Sequence, residues 1–279
     1  MIKYGIDVSE HQGKIIWKNV KSDFAVIRAG YGRDISQKDK FFEENYNGCK
    51  ENNIPCGAYW YSYAVTADEA GKEAAVCLET LKGKVFEYPI FFDIEEPRQL
   101  ALGRKVCTEI AKAFLEKIEK AGCWAGIYSS KSYLETYIDE SLRKRYAVWV
   151  AHYGVSKTSY SGQFGIWQKS NKGSIRGIGG NVDLNECYID YPSLMKDAGL
   201  NGYSKPATGK KIKHTKGEKI TLASDTVYAS STAKKGIVKS GTFYLYDAVE
   251  VQGRYRITTL PEYCGRTPIG KYVTGWVEL

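Results

Sequence analysis

The apolar positions of this chain fall into short segments separated by polar stretches. Eight such segments before residue 190 are bounded by Gly, Pro or polar residues, and this pattern predicts β-strands. The predicted strands are Tyr4–Val8, Ala25–Ala29, Gly57–Tyr63, Ile90–Ile94, Trp124–Tyr128, Ala147–Ala151, Phe164–Gln168 and Val182–Leu184.

Between the first strands the apolar residues recur every three to four positions, which predicts helices. Val106, Ile110, Phe114 and Ile118 show this spacing and form one apolar face. Another helix is marked at its start by the capping-box sequence that begins at Thr66. The predicted helical segments are Ile15–Val20, Asp39–Asn52, Thr66–Leu81, Arg104–Ala121 and Ser132–Arg145.

The order of these elements predicts the fold. Alternating strands and helices indicate a parallel sheet, and eight strands indicate a closed barrel. The last three strands are joined by loops too short for a full helix. The predicted class is therefore α/β, an irregular TIM-like barrel of five strand–helix units followed by three strands. Catalytic groups in such barrels lie at the C-terminal ends of the strands.

The composition and the periodicity of the chain change after residue 198. Residues 199–213 are polar, Gly-rich and aperiodic, and we interpret them as a linker between a barrel domain of residues 1–198 and a small domain of residues 214–279. Short strand patterns follow, which predict an all-β barrel. They are Ile220–Ala223, Thr226–Tyr228, Gly236–Val238, Thr242–Val251, Arg254–Thr258 and Gly275–Val277.

Composition excludes several classes of protein. No stretch of about 18 apolar residues is present, so no transmembrane helix is expected, and the first residues lack a signal-peptide pattern. The seven cysteines form no Cys-x-x-Cys pair and only three histidines occur, so neither a metal site nor a cofactor is expected. The cysteines are predicted to be free thiols.

The positive charge is concentrated at the end of the chain. Residues 210–279 carry +6 of the formal net charge of +8. This basic segment indicates an anionic partner such as a wall polymer, and nothing in the composition indicates nucleic acid. A solvated basic surface is an equally good explanation of the charge alone.

Two acids in one apolar strand are the main candidates for chemistry. Asp93 and Glu95 lie two positions apart, on one face of the predicted strand and roughly 6.6 Å from each other. Neighbouring buried carboxyls stay protonated more easily, as the general acid of a glycosidase requires. An exposed edge strand is the alternative, but the apolar residues of Ile90–Ile94 disfavour it. Asp7 and Asp183 lie in similar apolar settings, although Asp7 could instead close an Asx-turn.

Aromatic residues near the predicted strand ends suggest a sugar site, because aromatic faces stack on the apolar faces of sugar rings. Core packing is the alternative for each of them. The residues that we place in the sugar site are Tyr31, Tyr61, Tyr63, Tyr128, Trp149 and Tyr153, together with Gln168.

Together these motifs resemble glycoside hydrolase family 25, the N-acetylmuramidases known as Chalaropsis-type lysozymes and common among phage endolysins. The resemblance covers about residues 3–190. It is carried by Gly5-Ile6-Asp7-Val8-Ser9, His11-Gln12-Gly13, Asp93-Ile94-Glu95, Gly126-Ile127-Tyr128, Trp149-Val150-Ala151, Trp167-Gln168 and Val182-Asp183-Leu184-Asn185.

The resemblance implies a peptidoglycan hydrolase that cleaves the β-1,4 bond between N-acetylmuramic acid and N-acetylglucosamine with retention. Glu95 would be the general acid/base, and Asp7, Asp93 and Asp183 would complete the acidic site. Whether an aspartate acts as the nucleophile or supports attack by the substrate's own N-acetyl group stays open at this stage.

The C-terminal segment resembles bacterial SH3-like wall-binding modules, through residues such as Tyr228, Tyr244 and Gly275-Trp276-Val277. We therefore expect a phage or prophage endolysin, made in the host cytoplasm without a signal peptide and acting on the wall after release. The alternative is a non-catalytic protein that binds wall carbohydrate.

Overall fold

The computed structural model describes residues 2–204 and 214–279. The chain divides into two compact units, Met1–Ala207 and Thr208–Leu279. Among the described residues, no helix is long and apolar enough to cross a membrane. All seven cysteines are free thiols, as predicted.

The first unit is a closed eight-stranded barrel in which every predicted strand is present. The strands neighbour one another in chain order, and the ring closes between the first and the last. They are β1 (Lys3–Val8), β2 (Phe24–Tyr31), β3 (Cys56–Tyr61), β4 (Ile90–Asp93), β5 (Ala125–Ser130), β6 (Ala147–Ala151), β7 (Ile166–Gly173) and β8 (Val182–Cys187).

One strand departs from the predicted parallel sheet. Strands β1 to β7 are parallel, whereas β8 runs antiparallel to both β7 and β1. The connection from β7 to β8 is only residues 174–181, and a parallel pair needs a crossover of about a dozen residues or more. Strand β8 therefore begins at the end of the barrel where its neighbours finish.

The helices agree with the prediction except in four places. The predicted helix Ser132–Arg145 is broken at Ile138, whose backbone is extended, into α5 and α6. Two short helices, α3 and α7, carry no clear sequence period. The helices are α1 (Phe42–Glu51), α2 (Ala67–Leu81), α3 (Pro97–Leu100), α4 (Gly103–Lys120), α5 (Lys131–Tyr137), α6 (Glu140–Arg145) and α7 (Tyr191–Ala198); Trp17–Asn19 forms only a 3-10 turn.

The capping prediction for α2 is confirmed in part. The side chain of the N-cap residue Thr66 accepts a hydrogen bond from the backbone N–H of Glu69, at 3.2 Å, which satisfies an amide of the first turn. The Glu69 carboxylate accepts from the backbone of Val65 at 2.8 Å and not from Thr66, so the reciprocal bond of a capping box is replaced by one to the preceding residue.

The apolar core of this unit forms two layers. The outer layer lies between strands and helices, as where Phe92 of β4 packs on Phe114 of α4 with ring centroids 4.5 Å apart. The inner layer contains Phe24, Tyr88 and Tyr191, and Tyr191 brings α7 into the same cluster. The polar inward-facing residues are therefore concentrated elsewhere in the barrel, near the C-terminal ends of the parallel strands.

The barrel continues into residues that the sequence assigned to the linker. Asn201 is buried and donates to the carbonyl of Tyr88 at 2.8 Å, while its own side-chain oxygen accepts from the backbone of Trp124 at 2.7 Å. The hydroxyl of Tyr203 donates to Glu87 at 2.8 Å. Residues 205–213 of the predicted linker lie outside the described residues.

The second unit is a small closed barrel of four strands around a core of six buried apolar side chains. Six short strands were predicted, but two pairs of them merge into long strands. A register shift after Lys239 bends the β9–β10 pair without breaking it. The elements are β9 (Lys219–Tyr228), β10 (Gly236–Val251), β11 (Arg254–Thr258), α8 (Ile269–Tyr272) and β12 (Gly275–Val277).

Candidate active site

Four acidic side chains meet at one end of the eight-stranded barrel, and we call them the acidic cluster: Asp7, Asp93, Glu95 and Asp183. Asp7 lies near the end of β1, Asp93 ends β4 and Glu95 follows it. Asp183 is the second residue of β8 and pairs directly with Asp7 across the strands. Asp183 is thus early in its strand, and only the reversal of β8 brings it to this end of the barrel.

The most constrained carboxyl is that of Asp7. Its Oδ2 atom accepts hydrogen bonds from Gln168 Nε2 at 2.8 Å and from Asn185 Nδ2 at 2.7 Å. Burial, and then the charge of Asp183, raise the pKa of Asp7 well above its usual value. Asp183 is only half-buried, and its pKa is raised by burial alone.

Asp93 at the end of β4 and Glu95 just after it differ in exposure. Asp93 is buried, and within the described residues its Oδ1 atom has no hydrogen-bond partner. Burial, followed by the charges of Glu95 and Asp7, raises the pKa of Asp93 well above its usual value. Both effects favour the neutral form of Asp93, because a buried carboxylate without a partner is costly.

Glu95 is partly exposed at the barrel end. Burial is the largest cause that raises the pKa of Glu95, followed by the charges of Asp183 and Glu96. The sequence attributed this effect to Asp93, so the direction was predicted but the neighbouring charges were not. A carboxyl with a raised pKa beside an anionic partner can deliver a proton near neutral pH.

Three tyrosines form one side of the opening, and we call them the tyrosine rim: Tyr31, Tyr61 and Tyr63. The ring centroids of Tyr61 and Tyr63 are 5.1 Å apart, and those of Tyr31 and Tyr63 are 6.0 Å apart. Tyr63 is 40% exposed, and so is the separate Tyr153, at 41%. The structure thus leaves these predicted sugar-binding side chains accessible.

The other three residues predicted to bind sugar lie beneath the acids. Trp149 is 1% exposed, Gln168 is 1% exposed and Tyr128 is 7% exposed. The rings of Tyr128 and Trp149 pack with centroids 4.3 Å apart. Their side chains support the acidic cluster from inside the barrel, and their contact with sugar stays a prediction. A strand pattern shows which face is inward, but not how deep a residue lies.

Asn185 is a site residue that the sequence reasoning did not single out. Its amide donates to Asp7, and its side-chain oxygen accepts from the indole N–H of Trp149 at 2.8 Å. It lies two positions after Asp183, on the same face of β8. That spacing is the signal that could have found it.

Arg28 was missed as well. It lies in the apolar strand β2, and its side chain is only 9% exposed. Its guanidinium group contacts Asp39 at 2.8 Å and Glu10 at 2.6 Å, and it counteracts the rise in the pKa of Asp93. A charged residue inside an apolar strand was the signal that identified Asp93, and it applies equally here.

The acids of the site are not arranged as a set of metal ligands. Across residues 2–204 and 214–279, no group of three or more His, Cys, Asp or Glu side chains is arranged to hold a metal ion. The amide N–H groups of Gln168 and Asn185 point at Asp7, and N–H donors do not ligate cations.

A closed barrel with protonatable carboxyls at its strand ends, beside accessible tyrosines, has the architecture of a glycoside-cleaving enzyme. The family model described as glycosyl hydrolases family 25 matches residues 6–178, and the chain belongs to this family.

Its relatives include proteins of known and unknown activity. An uncharacterized protein, YegX, of Escherichia coli O157:H7 is 31% identical over 192 residues, which cover 65% of this chain and 68% of the relative. The autolytic lysozyme of Clostridium acetobutylicum is 25% identical over 65% of this chain and 55% of its own length. Lysozyme M1 of Streptomyces globisporus is 29% identical over 65% of this chain and 66% of its own length.

Solved structures share the fold. The bacterial lysozyme from Streptomyces coelicolor is 26% identical with a TM-score of 0.58, covering 71% of this chain and 96% of that one. The catalytic domain of endolysin ply40, from bacteriophage P40 of Listeria monocytogenes, is 25% identical with a TM-score of 0.57, covering 70% and 97%. The spore cortex lytic enzyme SleM of Clostridium perfringens is similar in fold alone, at 15% identity and a TM-score of 0.59 over 99% of this chain and 84% of that one.

Proposed function

We propose that this protein is a lysozyme, an N-acetylmuramidase that cleaves the β-1,4 bond between N-acetylmuramic acid and N-acetylglucosamine in peptidoglycan. Family membership and two relatives that are named lysozymes support the substrate class. The observation that carries the proposal is the position of Glu95, a partly exposed acid whose pKa is raised by burial first and then by the charge of Asp183.

In the proposed reaction, Glu95 donates its proton to the leaving glycosidic oxygen and later accepts one from water. Positive charge develops on the sugar ring and requires an anion. Asp183 suits this role better than Asp7, because Asp183 is half-buried while the Oδ2 atom of Asp7 is held by two amides. The reaction then retains configuration, through either an enzyme-bound intermediate or attack by the N-acetyl group.

Sugar binding is proposed for the tyrosine rim and Tyr153. These side chains are accessible and offer apolar faces with hydroxyl groups at their edges, which suits sugar rings. The hydroxyl of Tyr61 donates to Glu96 at 3.3 Å, which fixes the Tyr61 ring against the residue that follows Glu95.

For the second unit we propose an SH3-like module that binds the bacterial wall, with the whole protein acting as a phage or prophage endolysin in cell lysis. The basic character of residues 210–279 supports an anionic wall polymer as the partner. In this proposal the enzyme is made in the host cytoplasm and reaches the wall after release. Attachment there raises its local concentration on the substrate.

The deciding experiment is product analysis on purified peptidoglycan. New reducing ends should appear, and mass spectrometry after borohydride reduction should find the reduced sugar to be muramic acid. Reduced glucosamine would identify a different glycosidase, and binding without new reducing ends would identify a non-catalytic wall-binding protein.

A further inference from the structure

Gln168 occupies the centre of the buried layer under the acidic cluster. It lies on β7, opposite Ala151 of β6 and Asn185 of β8, immediately before a register shift in the β7–β8 pair. Its side chain is enclosed, at 1% exposure. Its amide therefore meets protein atoms and not solvent.

The amide uses its full hydrogen-bonding capacity on four site residues. Its nitrogen donates to Oδ2 of Asp7 at 2.8 Å and to Oδ2 of Asp183 at 3.2 Å. Its oxygen accepts from the hydroxyl of Tyr128 at 2.8 Å and from the hydroxyl of Tyr153. A primary amide has two N–H groups and an oxygen with two lone pairs, so all four are committed.

These bonds fix the orientation of the amide. A flipped side chain would set its oxygen against two carboxylates and its nitrogen against two hydroxyl groups that already point inward. The unflipped amide keeps both Oδ2 atoms as acceptors of its N–H groups. It also directs the hydroxyl hydrogen of Tyr153 inward, toward the side-chain oxygen of Gln168.

We propose that Gln168 is a positioning residue, which aligns Asp7 and Asp183 and favours their ionised forms while holding the hydroxyl of Tyr153. This proposal rests on the proposed function of the site. Other groups that act on the aspartate pair from the surrounding strands are Asp93 at the end of β4, Glu95 after it, Tyr59 on β3, Tyr128 on β5, Tyr153 after β6 and Asn185 on β8.

The test compares the pH profiles of peptidoglycan cleavage by the wild type and by Gln168→Met, which keeps the length of the side chain but removes both donors. Gln168→Asn keeps the amide but shortens its reach. Gln99→Met is the matched control, because Gln99 is another fully buried glutamine of this unit and its nitrogen bonds Ser62 and the Ala64 carbonyl instead.

We expect kcat to fall about tenfold or more in Gln168→Met, with a smaller change in KM. The acidic limb of the pH–rate profile should move to higher pH by about one to two units. The hydrogen bonds that Gln168 donates stabilise the ionised carboxylates, and their loss raises the pKa values by roughly this much. Gln99→Met should leave the limb in place. A limb at the wild-type pH in a folded Gln168 variant overturns the proposal, and so does unfolding of both variants, which would make Gln168 a packing residue.

Carboxyl-carbon NMR gives the same test without turnover. Removing the Gln168 donors should raise the titration midpoints of Asp7 and Asp183, and unchanged midpoints overturn the proposal. If the wild type cuts no peptidoglycan, the proposed function fails while this titration still decides the role of Gln168.

Discussion

Asn185 donates a 2.7 Å hydrogen bond to Asp7 across 178 positions of sequence, and so joins the last strand of the barrel to the first. The bond ties closure of the barrel to the orientation of a site carboxylate. A protein that failed to pair β8 with β1 would lose the Asp7–Asp183 pair as well as its fold.

Replacing Glu95 with glutamine tests the general acid. The amide has nearly the same shape but cannot protonate the leaving oxygen, so wall lysis should fall about 10²- to 10⁴-fold while the fold is retained. Turbidity loss of a wall suspension measures the effect. Glu109→Gln, an exposed glutamate of α4, is the control and should lyse normally. Near-normal lysis by Glu95→Gln would remove Glu95 from this role.

Arg28→Met should destabilise the barrel strongly. It removes the partner of Asp39, whose side chain is fully buried, and leaves an unpaired charge inside the protein. Such losses typically cost about 3–5 kcal/mol. The control is Arg145→Met, which breaks a 2.6 Å pair with Glu119 between side chains 55% and 44% exposed and should cost about 0–1 kcal/mol. Equal urea midpoints for the two variants would contradict this account.

Glu73 should make the stability of the protein depend on pH. It is buried on α2, accepts from Ser62 Oγ at 2.6 Å and from the Tyr63 backbone at 2.8 Å, and burial raises its pKa to about 7. The folded protein therefore keeps this proton up to about pH 7, while the unfolded chain releases it near the ordinary value of 4.5. The contribution to stability is complete below 4.5 and is lost as the pH rises to about 7.

Glu73→Gln is uncharged at every pH and should not show this loss. Between pH 4 and pH 8, its free energy of unfolding relative to the wild type should rise by up to roughly 3 kcal/mol. Denaturant titrations at both pH values give the difference. Glu79→Gln, at an exposed position of the same helix, should track the wild type at both. A constant difference between Glu73→Gln and the wild type would show that Glu73 stays ionised.

Activity should survive removal of divalent metal. The amide donors that hold Asp7 occupy the space where a cation would need oxygen ligands. Dialysis against a chelator, followed by the reducing-end assay, should give the wild-type rate. Loss of activity that Mg²⁺ or Ca²⁺ restores would mean that the acidic cluster binds a metal.

Wall attachment by the second unit should depend on salt. Residues 210–279 expressed alone should bind walls without cutting them, and residues 1–204 should still cut. Binding should weaken with salt, because exposed charges are screened beyond roughly 8 Å at physiological ionic strength. Pull-down on walls over a range of NaCl concentrations measures this.

A pair of charge reversals separates local attraction from net charge. Lys234→Glu with Lys235→Glu, in the second unit, should weaken wall binding of the whole protein. Lys105→Glu with Lys120→Glu, exposed on α4, changes the net charge equally and should leave binding nearly unchanged. Equal loss in both would indicate an effect of overall charge.

The aromatic side chains of the second unit contribute less free surface than the sequence suggests. The guanidinium carbon of Arg254 lies 3.3 Å from the ring centroid of Tyr228, and that of Arg256 lies 4.6 Å from a ring of Trp276. Both rings are thus partly covered by cation–π contacts. The basic side chains are for this reason the better targets for mutation.

The sequence predicted the strands and the acids because burial leaves a direct trace in the pattern of residues. Asp93 stood out because it interrupts an apolar run. The direction of β8 could not be predicted in this way, because the alternation of residues in a strand does not depend on whether its neighbours are parallel or antiparallel. The burial of the Trp149 side chain could not be predicted either, because periodicity reports the face of a strand and not the depth of a residue within the barrel.

Contacts between distant segments were also beyond the sequence. Arg28 forms ion pairs with Glu10 and Asp39, and Gln168 bonds four residues from four other segments. Neither role can therefore be inferred from local spacing. The break between α5 and α6 is similar, because the Asp139 backbone bonds to Thr108 of α4 at 3.0 Å. Such tertiary bonds override the local preference to continue a helix.

The reversed direction of β8 has a consequence for how this enzyme can change over time. The turn of residues 174–181 lies at the same end of the barrel as the acidic cluster, and it contains none of the helices that cover the barrel. Insertions and deletions are tolerated best in such exposed connections. Proteins of this fold can therefore change the surface beside the acidic cluster by varying the length of the β7–β8 turn. The strand that carries Asp183 keeps its register as they do so.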